Sequence, residues 1–315
     1  MLLLHQWLRR WRAYLTAFCA SPCRWLASDS RRPAPPQLPC YRITFILRRM
    51  NPYRVEPPFY LSFSGGRTSG YLLRRVLDAW EGTLPPGGHV LFANTGREHE
   101  ATLKFVNDVE TRWCPITWIE YRRENPKWAR VTYETADRTG THFKDLILAK
   151  QRLPTPPMRF CTSDLKVKPM EAYLKSIGLT EFTAILGIRA DEPRRVSRIR
   201  GTTDRDMAIP LADDGVTEAD VLEFWKTNDF DLPWPHDQKF FGNCDLCFLK
   251  SLPRLKGVIE ARPDLADWWI EMEEMTGYRF RFDRPSIRQL RTQITIQGKL
   301  FECAVDDSMP CDCTE

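Results

Sequence analysis

The sequence predicts an α/β fold in which a parallel sheet is covered by crossover helices, followed by a small cysteine-bearing C-terminal region. Three observations support this prediction. Apolar runs of strand length alternate with helical hydrophobic periodicity, turn residues separate the two, and close cysteine pairs occur late in the chain. At 315 residues the chain is long enough for one large domain or for one domain with an appendage.

The predicted elements begin at residue 59. Short apolar runs predict strands at 59–63, 89–93 and 116–121, and residues at three- and four-residue spacing predict helices at 71–80 and 100–111. A Pro-Pro-Gly-Gly turn separates the first helix from the second strand. Alternation of strand and helix is typical of parallel strands joined by crossovers, so we expect a Rossmann-like sheet.

The rest of the chain has a less regular pattern. Residues 122–160 are predicted to be a long insertion with one helix near 144–152. Further predicted elements are a helix at 168–177, a strand at 182–188 and helices at 217–227, 255–259 and 263–275. Thr217, with Asp220 three residues later, has the pattern of a helix N-cap. We divide the chain into regions at 1–49, 50–232 and 233–315.

Charge is distributed unevenly along the chain. The formal net charge is +5, but residues 1–50 hold nine arginines against the single acid Asp29. The remaining residues carry a net charge of −3, which gives no reason to expect tight nucleic-acid binding. Residues 1–49 are basic and proline-rich, and too charged to span a membrane. We interpret them as a dispensable extension before a true start at Met50; a signal peptide and a membrane-surface segment are the alternatives.

Ten cysteines are present, several of them in Cys-x2-Cys or Cys-x-Cys spacing. In a long soluble chain such spacing indicates metal or redox sites in a reducing compartment rather than a secreted disulfide framework. The cysteine pattern therefore predicts a cytoplasmic protein.

The segment Ser64-Gly65-Gly66-Arg67-Thr68-Ser69 lies between the first predicted strand and the first predicted helix. Glycines allow a tight turn and let a phosphate group approach backbone N–H groups, and a helix N-terminus adds its positive dipole end. The segment therefore predicts a phosphate-binding loop. It lacks the Gly-Lys-Ser/Thr ending of a Walker A loop, and a turn without a ligand is the alternative.

A run of arginines follows the fourth predicted strand, at Arg189, Arg194, Arg195, Arg198 and Arg200. Arginine is suited to bidentate binding of phosphate or sulfate. Arg189 stands at the carboxyl end of the strand, where open α/β sheets bind ligands, and is the strongest candidate. The later arginines are equally compatible with a solvated, salt-bridged helix.

Five ordered motifs between residues 59 and 255 resemble the adenine-nucleotide α-hydrolases with an SGGxxS pyrophosphate loop, and within them the phosphoadenosine-phosphosulfate reductase-like family. The motifs are Ser64–Ser69, Asn94–Glu98, Arg159–Thr162 with Leu165–Pro169, Gly187–Glu192 with the arginines after it, and Ile209–Leu211 with Asp220–Leu222. Asn94 departs from the family pattern, which has Asp at this position.

The resemblance implies a site for ATP or another adenine nucleotide, with Mg2+ if the nucleotide is ATP. It assigns nucleotide binding to Ser64, Gly65, Gly66, Arg67, Thr68, Ser69, Asn94, Thr95 and Gly96. It assigns a second anion to Lys166, Arg189, Arg194, Arg195 and Arg198. Cys161 and Arg189 are the candidate catalytic residues.

Cys161, Cys244 and Cys247 are the candidate metal ligands. Two thiolates at Cys-x2-Cys spacing can reach one metal or one face of a cluster, and Cys161 would supply a third ligand. We therefore expect these cysteines to converge in space. A fourth ligand could come from Cys303, Cys311 or Cys313, or be absent. A [4Fe-4S] cluster is favoured, with structural Zn2+ and ordinary buried thiols as alternatives.

These features predict an adenine-nucleotide-dependent enzyme of sulfur transfer or sulfate-group reduction. It would be an ATP-pyrophosphatase-type sulfurtransferase or a phosphoadenosine-phosphosulfate reductase-like oxidoreductase. The expected partners are the nucleotide and a sulfur- or electron-donor protein, with nucleic acid as a candidate substrate and no membrane. The alternative is a Zn2+-stabilised, non-catalytic accessory module that binds nucleotides or nucleic acids.

Overall fold

A computed structural model describes residues 51–234, 242 and 244–297 of the chain. The predicted extension at 1–49 and the candidate fourth ligands Cys303, Cys311 and Cys313 lie outside the described residues. Within the described ranges, every helix is too short or too polar to cross a lipid bilayer.

Six strands form one sheet in the order β4-β3-β2-β1-β5-β6. They are β1 Phe59–Phe63, β2 Gly88–Asn94, β3 Thr117–Tyr121, β4 Trp128–Val131, β5 Thr183–Ile185 and β6 Met207–Ala208. Neighbouring strands are parallel except β3 and β4, which are antiparallel. The predicted α/β fold with a parallel sheet is confirmed, and β4 adds an antiparallel edge.

Helices follow the strands and form the C-terminal region. They are α1 Arg67–Ala79, α2 Glu100–Arg112, α3 Thr141–Lys150, α4 Lys168–Ser176, α5 Pro193–Gly201, α6 Pro210–Asp213, α7 Glu218–Thr227, α8 Leu252–Ala261, α9 Ala266–Thr276 and α10 Ile287–Gln297. A π-helical turn at Thr162–Val167 leads into α4, and a 3-10 turn at Pro263–Leu265 precedes α9.

The central strands bury both of their faces. In β1, Phe59, Leu61 and Phe63 pack with side chains of α1, α2 and α7, whereas Tyr60 packs on the opposite face with residues of α4. This alternation follows from the two-residue period of a strand. Because each fully buried large apolar side chain contributes roughly 1.5–3 kcal/mol, the two faces anchor the central strands firmly.

Helix α7 packs against the core of the sheet and contacts the start of α1. Its predicted cap is present, because the N–H of Thr217 donates to the carboxylate of Asp220 at 2.7 Å. Trp225 of α7 is 1% exposed, and its indole N–H donates to the carbonyl oxygen of Arg67 at 2.8 Å. The helix therefore supports the loop that follows β1.

The C-terminal region has a core of its own, to which α3, α8, α9 and α10 contribute side chains together with Cys244, Cys247 and Phe248. Helix α10 was not predicted from the sequence. The insertion at 122–160 contains β4 as well as α3, and α3 starts three residues before its predicted position.

Candidate functional site

The carboxyl ends of β1, β2 and β5 lie at one edge of the sheet. The chain proceeds from β1 to β2 on one side, and β5 pairs with β1 on the other side. In open α/β sheets, ligands bind at such a reversal of strand order, beyond the carboxyl ends of the strands. The residues that follow these three strands therefore form the candidate site.

Gly65 makes the turn out of β1. Its φ is +75°, and a Cβ at this position would lie 2.6 Å from Cγ2 of Thr102 and 3.0 Å from Cγ2 of Val106. Any other L-residue would be strained and would overlap with α2. Gly65 thus allows the loop to pack closely against α2.

Gly66 is the N-cap of α1 and has an extended backbone, with φ of −105°. A Cβ here would meet only Oγ of Ser64, at 3.6 Å. The protein itself therefore leaves space beside Gly66, at the end of α1 that carries unpaired N–H groups and the positive end of the helix dipole. This space is where a phosphate group could approach the backbone.

Ser69 holds the loop in shape. Its hydroxyl accepts hydrogen bonds from the N–H of Ser64 at 3.2 Å and from the hydroxyl of Ser64 at 3.0 Å, and it donates to the carbonyl oxygen of Gly66 at 2.9 Å. Ser69 is 2% exposed, whereas Ser64, Gly66 and Thr68 are only partly buried. The three partly buried residues therefore remain accessible to solvent.

The side chain of Arg67 is turned to the segment after α7. Its guanidinium binds both carboxylate oxygens of Asp231, at 2.7 and 2.8 Å, and the carbonyl oxygens of Leu232 and Trp234 at 3.0 and 2.7 Å. The predicted contact of Arg67 with phosphate would therefore come from its backbone N–H.

Arg189 connects the end of β5 to the loop after β1. Its guanidinium donates to the hydroxyl of Thr68 at 3.3 Å and, through Nε, to Asp191 at 2.8 Å. Its backbone N–H donates to the carboxylate of Glu192 at 2.9 Å. Arg189 is therefore positioned beside the loop by both its backbone and its side chain.

The other candidate arginines separate into two groups. Arg195 is buried and forms an ion pair with Glu192 at 2.6 Å, so it stabilises the start of α5. Arg194 and Arg198 are exposed on the same helix. Of the predicted anion-binding arginines, the structure thus brings Arg189 into contact with the loop.

The loop after β2 is built mainly from buried groups. Thr95 is 1% exposed, and its N–H and hydroxyl both donate to the carboxylate of Glu98, at 2.8 and 2.9 Å. Gly96 has a φ of +76°, and a Cβ there would lie 2.6 Å from Oδ2 of Asp137. Asn94, Thr95 and Gly96, which were predicted to contact the nucleotide, therefore lie in a tightly packed loop.

Cys161, Cys244 and Cys247 line one cavity of about 20 Å³, as does Thr95. Cys161 precedes the π-helical turn, whereas Cys244 and Cys247 belong to the C-terminal core and are 8% and 4% exposed. Sγ of Cys244 lies 3.4 Å from the hydroxyl oxygen of Thr95. The three cysteines therefore line one cavity, beside the loop that follows β2, and their role as metal ligands stays a prediction.

Lys166 also lines this cavity, whereas the resemblance assigned it to the anion-binding group. Its Nζ lies 3.9 Å from the carboxylate of Glu98, whose side chain is 2% exposed. A cation beside thiols favours their ionised, metal-binding form. Lys166 thus lies where its positive charge would favour the thiolate form of the cysteines.

The donor set fits a thiolate-bound metal in its chemistry, because three cysteines line one small cavity. A cavity of this size holds about one water molecule. Among the residues that the structure describes, no three His, Cys, Asp or Glu side chains are arranged closely enough to hold a metal ion. Binding of an ion or a cluster would therefore require the residues around the cavity to rearrange.

With this geometry established, comparison with known proteins defines the family. Residues 58–241, more than half of the chain, match the phosphoadenosine phosphosulfate reductase domain. The chain belongs to the phosphoadenosine phosphosulfate reductase domain family. The matched range includes the loop after β1, Cys161 and Arg189, and it ends before Cys244 and Cys247.

Relatives of this reductase-domain protein occur in phages and in an archaeon. The uncharacterized nin region protein ORF290 of Escherichia phage lambda is 34% identical over 206 residues, which are 62% of this chain and 67% of that protein. An uncharacterized 37.8 kDa protein of Escherichia phage 186 is 26% identical, over 57% of this chain and 58% of that protein. A Methanocaldococcus jannaschii protein is 29% identical, over 44% of this chain and 24% of that protein. The chain spans about two thirds or less of these curated relatives.

Two solved structures show a weak overall likeness, each with a TM-score of 0.35. One is the phosphate complex of phosphoadenylyl-sulfate reductase from Candida auris, 14% identical over 59% of this chain and 84% of that chain. The other is the U34-tRNA thiolase NcsA from Methanococcus maripaludis with its [4Fe-4S] cluster, 12% identical over 81% and 79%. Neither likeness is close enough to support an argument about the reductase-domain protein described here.

The departure of Asn94 from the family pattern has a local explanation. Asn94 is fully buried, and its side-chain amide donates to the carboxylate of Glu120 at 2.7 Å and to the carbonyl oxygen of Asp137 at 2.8 Å. An aspartate at this position would place two carboxylates against each other without solvent, which is strongly unfavourable. The partner that makes Asn suitable, Glu120 on β3, was not identified from the sequence.

A buried network beneath this loop was also missed by sequence reasoning. His142 contacts the carboxylate of Asp137 at 3.0 Å and the carbonyl oxygen of Asn94 at 3.1 Å. Burial acts to raise the pKa of Asp137, but hydrogen bonds from His142 and Thr139 outweigh it and hold the pKa well below its usual range. The network holds the loop after β2 against α3.

Two further groups in this reductase-domain protein position the Cys-x2-Cys turn. Lys250 is 1% exposed, and its ammonium group donates to the carbonyl oxygens of Gly242 and Cys244. Asp245 forms a buried ion pair with Arg97 and accepts the indole N–H of Trp269 at 2.6 Å. Burial raises the pKa of Asp245, with Arg97 opposing the shift. The spacing Cys-x2-Cys-x2-Lys is the sequence signal that could have revealed Lys250.

Proposed function

We propose that the protein is an enzyme that binds an adenine nucleotide at the carboxyl edge of its sheet and acts in sulfur transfer or in the reduction of a sulfate group. The observation that carries the proposal is that the candidate phosphate-binding loop and the loop beside the cysteine cavity follow two neighbouring parallel strands. The candidate phosphate loop follows β1, and the loop that contacts the cysteine cavity follows β2. Because adjacent strands lie roughly 5 Å apart, one extended nucleotide substrate could reach both.

The phosphates of the nucleotide would lie at the N-terminus of α1. Ser64, Gly66 and Thr68 would contact them, while Gly65 and Ser69 keep the loop in shape. Arg189 would bind a second anionic group beside Thr68, since a guanidinium can hold phosphate or sulfate through two hydrogen bonds. If the nucleotide is ATP, Mg2+ would screen its charge.

Cys161, Cys244 and Cys247 would hold a [4Fe-4S] cluster through their thiolates, with Zn2+ as the alternative metal. A cluster with three protein ligands would supply an iron atom that is open to sulfur or substrate. The neighbouring ammonium groups of Lys166 and Lys250 would offset the negative charge of the thiolates.

Two reactions agree with this site. In the first, ATP and an acceptor react to give pyrophosphate and an adenylated acceptor, and sulfur from the donor then displaces AMP from that acceptor. In the second, the sulfate group of an adenylylated sulfate is reduced. A sulfur- or electron-donor protein would complete either reaction in the cytoplasm, and nucleic acid remains a candidate acceptor.

Isothermal titration calorimetry with ATP plus Mg2+ and with phosphoadenosine phosphosulfate tests the nucleotide site. We expect the wild type to bind at least one of them and Gly66→Val to lose that binding while staying folded, because the new side chain enters the space at the start of α1. Gly201→Val is the matched control, since a Cβ at Gly201 meets no atom within 4 Å. Absence of binding by the wild type, or equal binding by both variants, would contradict the proposal. Release of pyrophosphate or of sulfite would distinguish the two reactions.

A further inference from the structure

Thr95 stands between the loop after β2 and the cysteine cavity. Its hydroxyl oxygen lies 2.9 Å from both carboxylate oxygens of Glu98 and 3.4 Å from Sγ of Cys244. The N–H of Arg97 donates to the same oxygen at 3.4 Å. The side chain of Thr95 is buried and lines the cavity with the three cysteines.

The hydrogen bonds of this hydroxyl depend on the state of Cys244. A threonine hydroxyl has one proton to donate and two lone pairs that accept. With its proton directed to Glu98, the oxygen can only accept from Cys244, so the sulfur must carry the proton of that contact. Once Cys244 is a thiolate ligand, Glu98 and the sulfur are both acceptors and compete for the single hydroxyl proton.

We propose that Thr95 is a positioning residue for Cys244, and that its hydroxyl turns from Glu98 to donate to Sγ when the thiolate binds metal. The inference rests on the proposed function, because it requires Cys244 to be a ligand. Glu98 can release the hydroxyl, since it keeps the N–H of Thr95 at 2.8 Å and has the ammonium group of Lys166 at 3.9 Å.

A hydrogen bond to a ligating sulfur has measurable consequences. It stabilises the negative charge of the metal-bound thiolate and fixes the orientation of the side chain, and loss of such a partner typically weakens metal binding by about 10–100-fold. In an iron–sulfur cluster it also raises the reduction potential. Since Thr95 belongs to the loop after β2, the same bond would connect the metal site to the nucleotide edge of the sheet.

Anaerobic titration with Co2+ as the metal probe tests the inference in Thr95→Val, Thr95→Ser and the wild type. The measurements are the dissociation constant and the energy of the thiolate-to-cobalt charge-transfer band. We expect Thr95→Val to bind about 10–100-fold more weakly and to shift the band, because valine keeps the shape but not the hydroxyl. Thr95→Ser should bind as the wild type does. Thr102→Val is the matched control, since Thr102 is buried and its hydroxyl has no hydrogen-bond partner among the described residues.

The outcomes separate this inference from the proposed function. A wild type that binds Co2+ together with a Thr95→Val variant of equal affinity and unshifted band overturns the role of Thr95 alone. Equal losses in Thr95→Val and Thr95→Ser also overturn it, because the hydroxyl would then not be the group that matters. A wild type that binds no Co2+ overturns this inference for a single metal ion, while the proposed cluster and nucleotide binding each stand on their own test.

Discussion

At the scale of single residues, Arg189 differs from the arginines that follow it because its side chain contacts the loop after β1. It extends from the end of β5 to Thr68 on the loop after β1, so one guanidinium bridges the point where the strand order reverses. Asp191 holds Nε of the same side chain at 2.8 Å. The guanidinium is thereby held in one orientation, which would lower the entropic cost of binding an anion.

We expect Arg189→Ala to weaken binding of the nucleotide by about 10–100-fold, as a lost hydrogen bond to a charged group costs about 1.5–3 kcal/mol. Arg200→Ala is the matched control, because Arg200, near the end of α5, is exposed and pairs with Asp213 instead of the loop. Calorimetry on both variants measures the effect. Equal affinities in the two variants would show that Arg189 does not contact the ligand.

The sequence was informative for residues whose position follows from the strand–turn–helix pattern, such as the loop at Ser64–Ser69 and Arg189. It could not show where a long cationic side chain turns. Arg67 lies in the loop but binds Asp231, and Lys166 lies at the cysteine cavity. Such choices depend on acidic partners brought near by the fold, which have no fixed spacing in the sequence.

At the scale of elements, the π-helical turn that follows Cys161 is fastened by Asp164. Its carboxylate binds Lys150 at the end of α3 at 2.7 Å and Lys168 at the start of α4 at 2.6 Å. Burial acts to raise the pKa of Asp164, but the hydrogen bonds from Lys150, Lys168 and Ser163 outweigh it and lower the pKa. Asp164 thus joins two helices beside the cysteine cavity.

We expect Asp164→Asn to lower the free energy of unfolding at pH 7 by about 1.5–3 kcal/mol, the range for hydrogen bonds to charged groups. A lowered pKa contributes stability above the pKa of the unfolded chain, about 3.9, and loses it as the pH falls through the folded value. The difference from the wild type should therefore shrink below about pH 4. Urea unfolding from pH 7 to pH 3 measures it, with the exposed Asp204→Asn as control. A difference that does not change with pH would contradict the assignment.

Elements with strong periodicity were predicted well, and short edge elements were not. Helix α7 was predicted because Thr217 and Asp220 form a cap before an apolar face, and both features are local in the sequence. Strand β4 has four residues, none of them fully buried, so it lacks the apolar alternation that marks a strand. Strand β6 has only two residues. Both exist because a neighbouring strand offers hydrogen bonds, which is a tertiary effect.

At the scale of the whole molecule, the cysteine cavity joins the sheet domain to the C-terminal helical core. Cys161 lies in the sheet domain, directly before the π-helical turn that leads into α4. Cys244 and Cys247 lie among side chains of α8 and α9. Asp245 also binds Arg97 from the loop after β2. The Cys-x2-Cys spacing, together with the need of a metal for further ligands, predicted that the three cysteines converge. The small size of the cavity could not be predicted, because it depends on packing.

The central claim is that three cysteines from two distant segments form one metal site beside a nucleotide site, and metal analysis of anaerobically purified protein tests it most directly. We expect the wild type to contain iron and sulfide and to absorb near 400 nm, roughly as thiolate-to-iron ligation requires. Ser substitution of Cys161, Cys244 or Cys247 should each remove the cluster. Cys114→Ser should retain it, because Cys114 lies in the separate core beneath α1 and α2. A wild type without bound metal, or a Cys161→Ser variant with the full metal content, would contradict the claim; a colourless protein with zinc would support the accessory module instead.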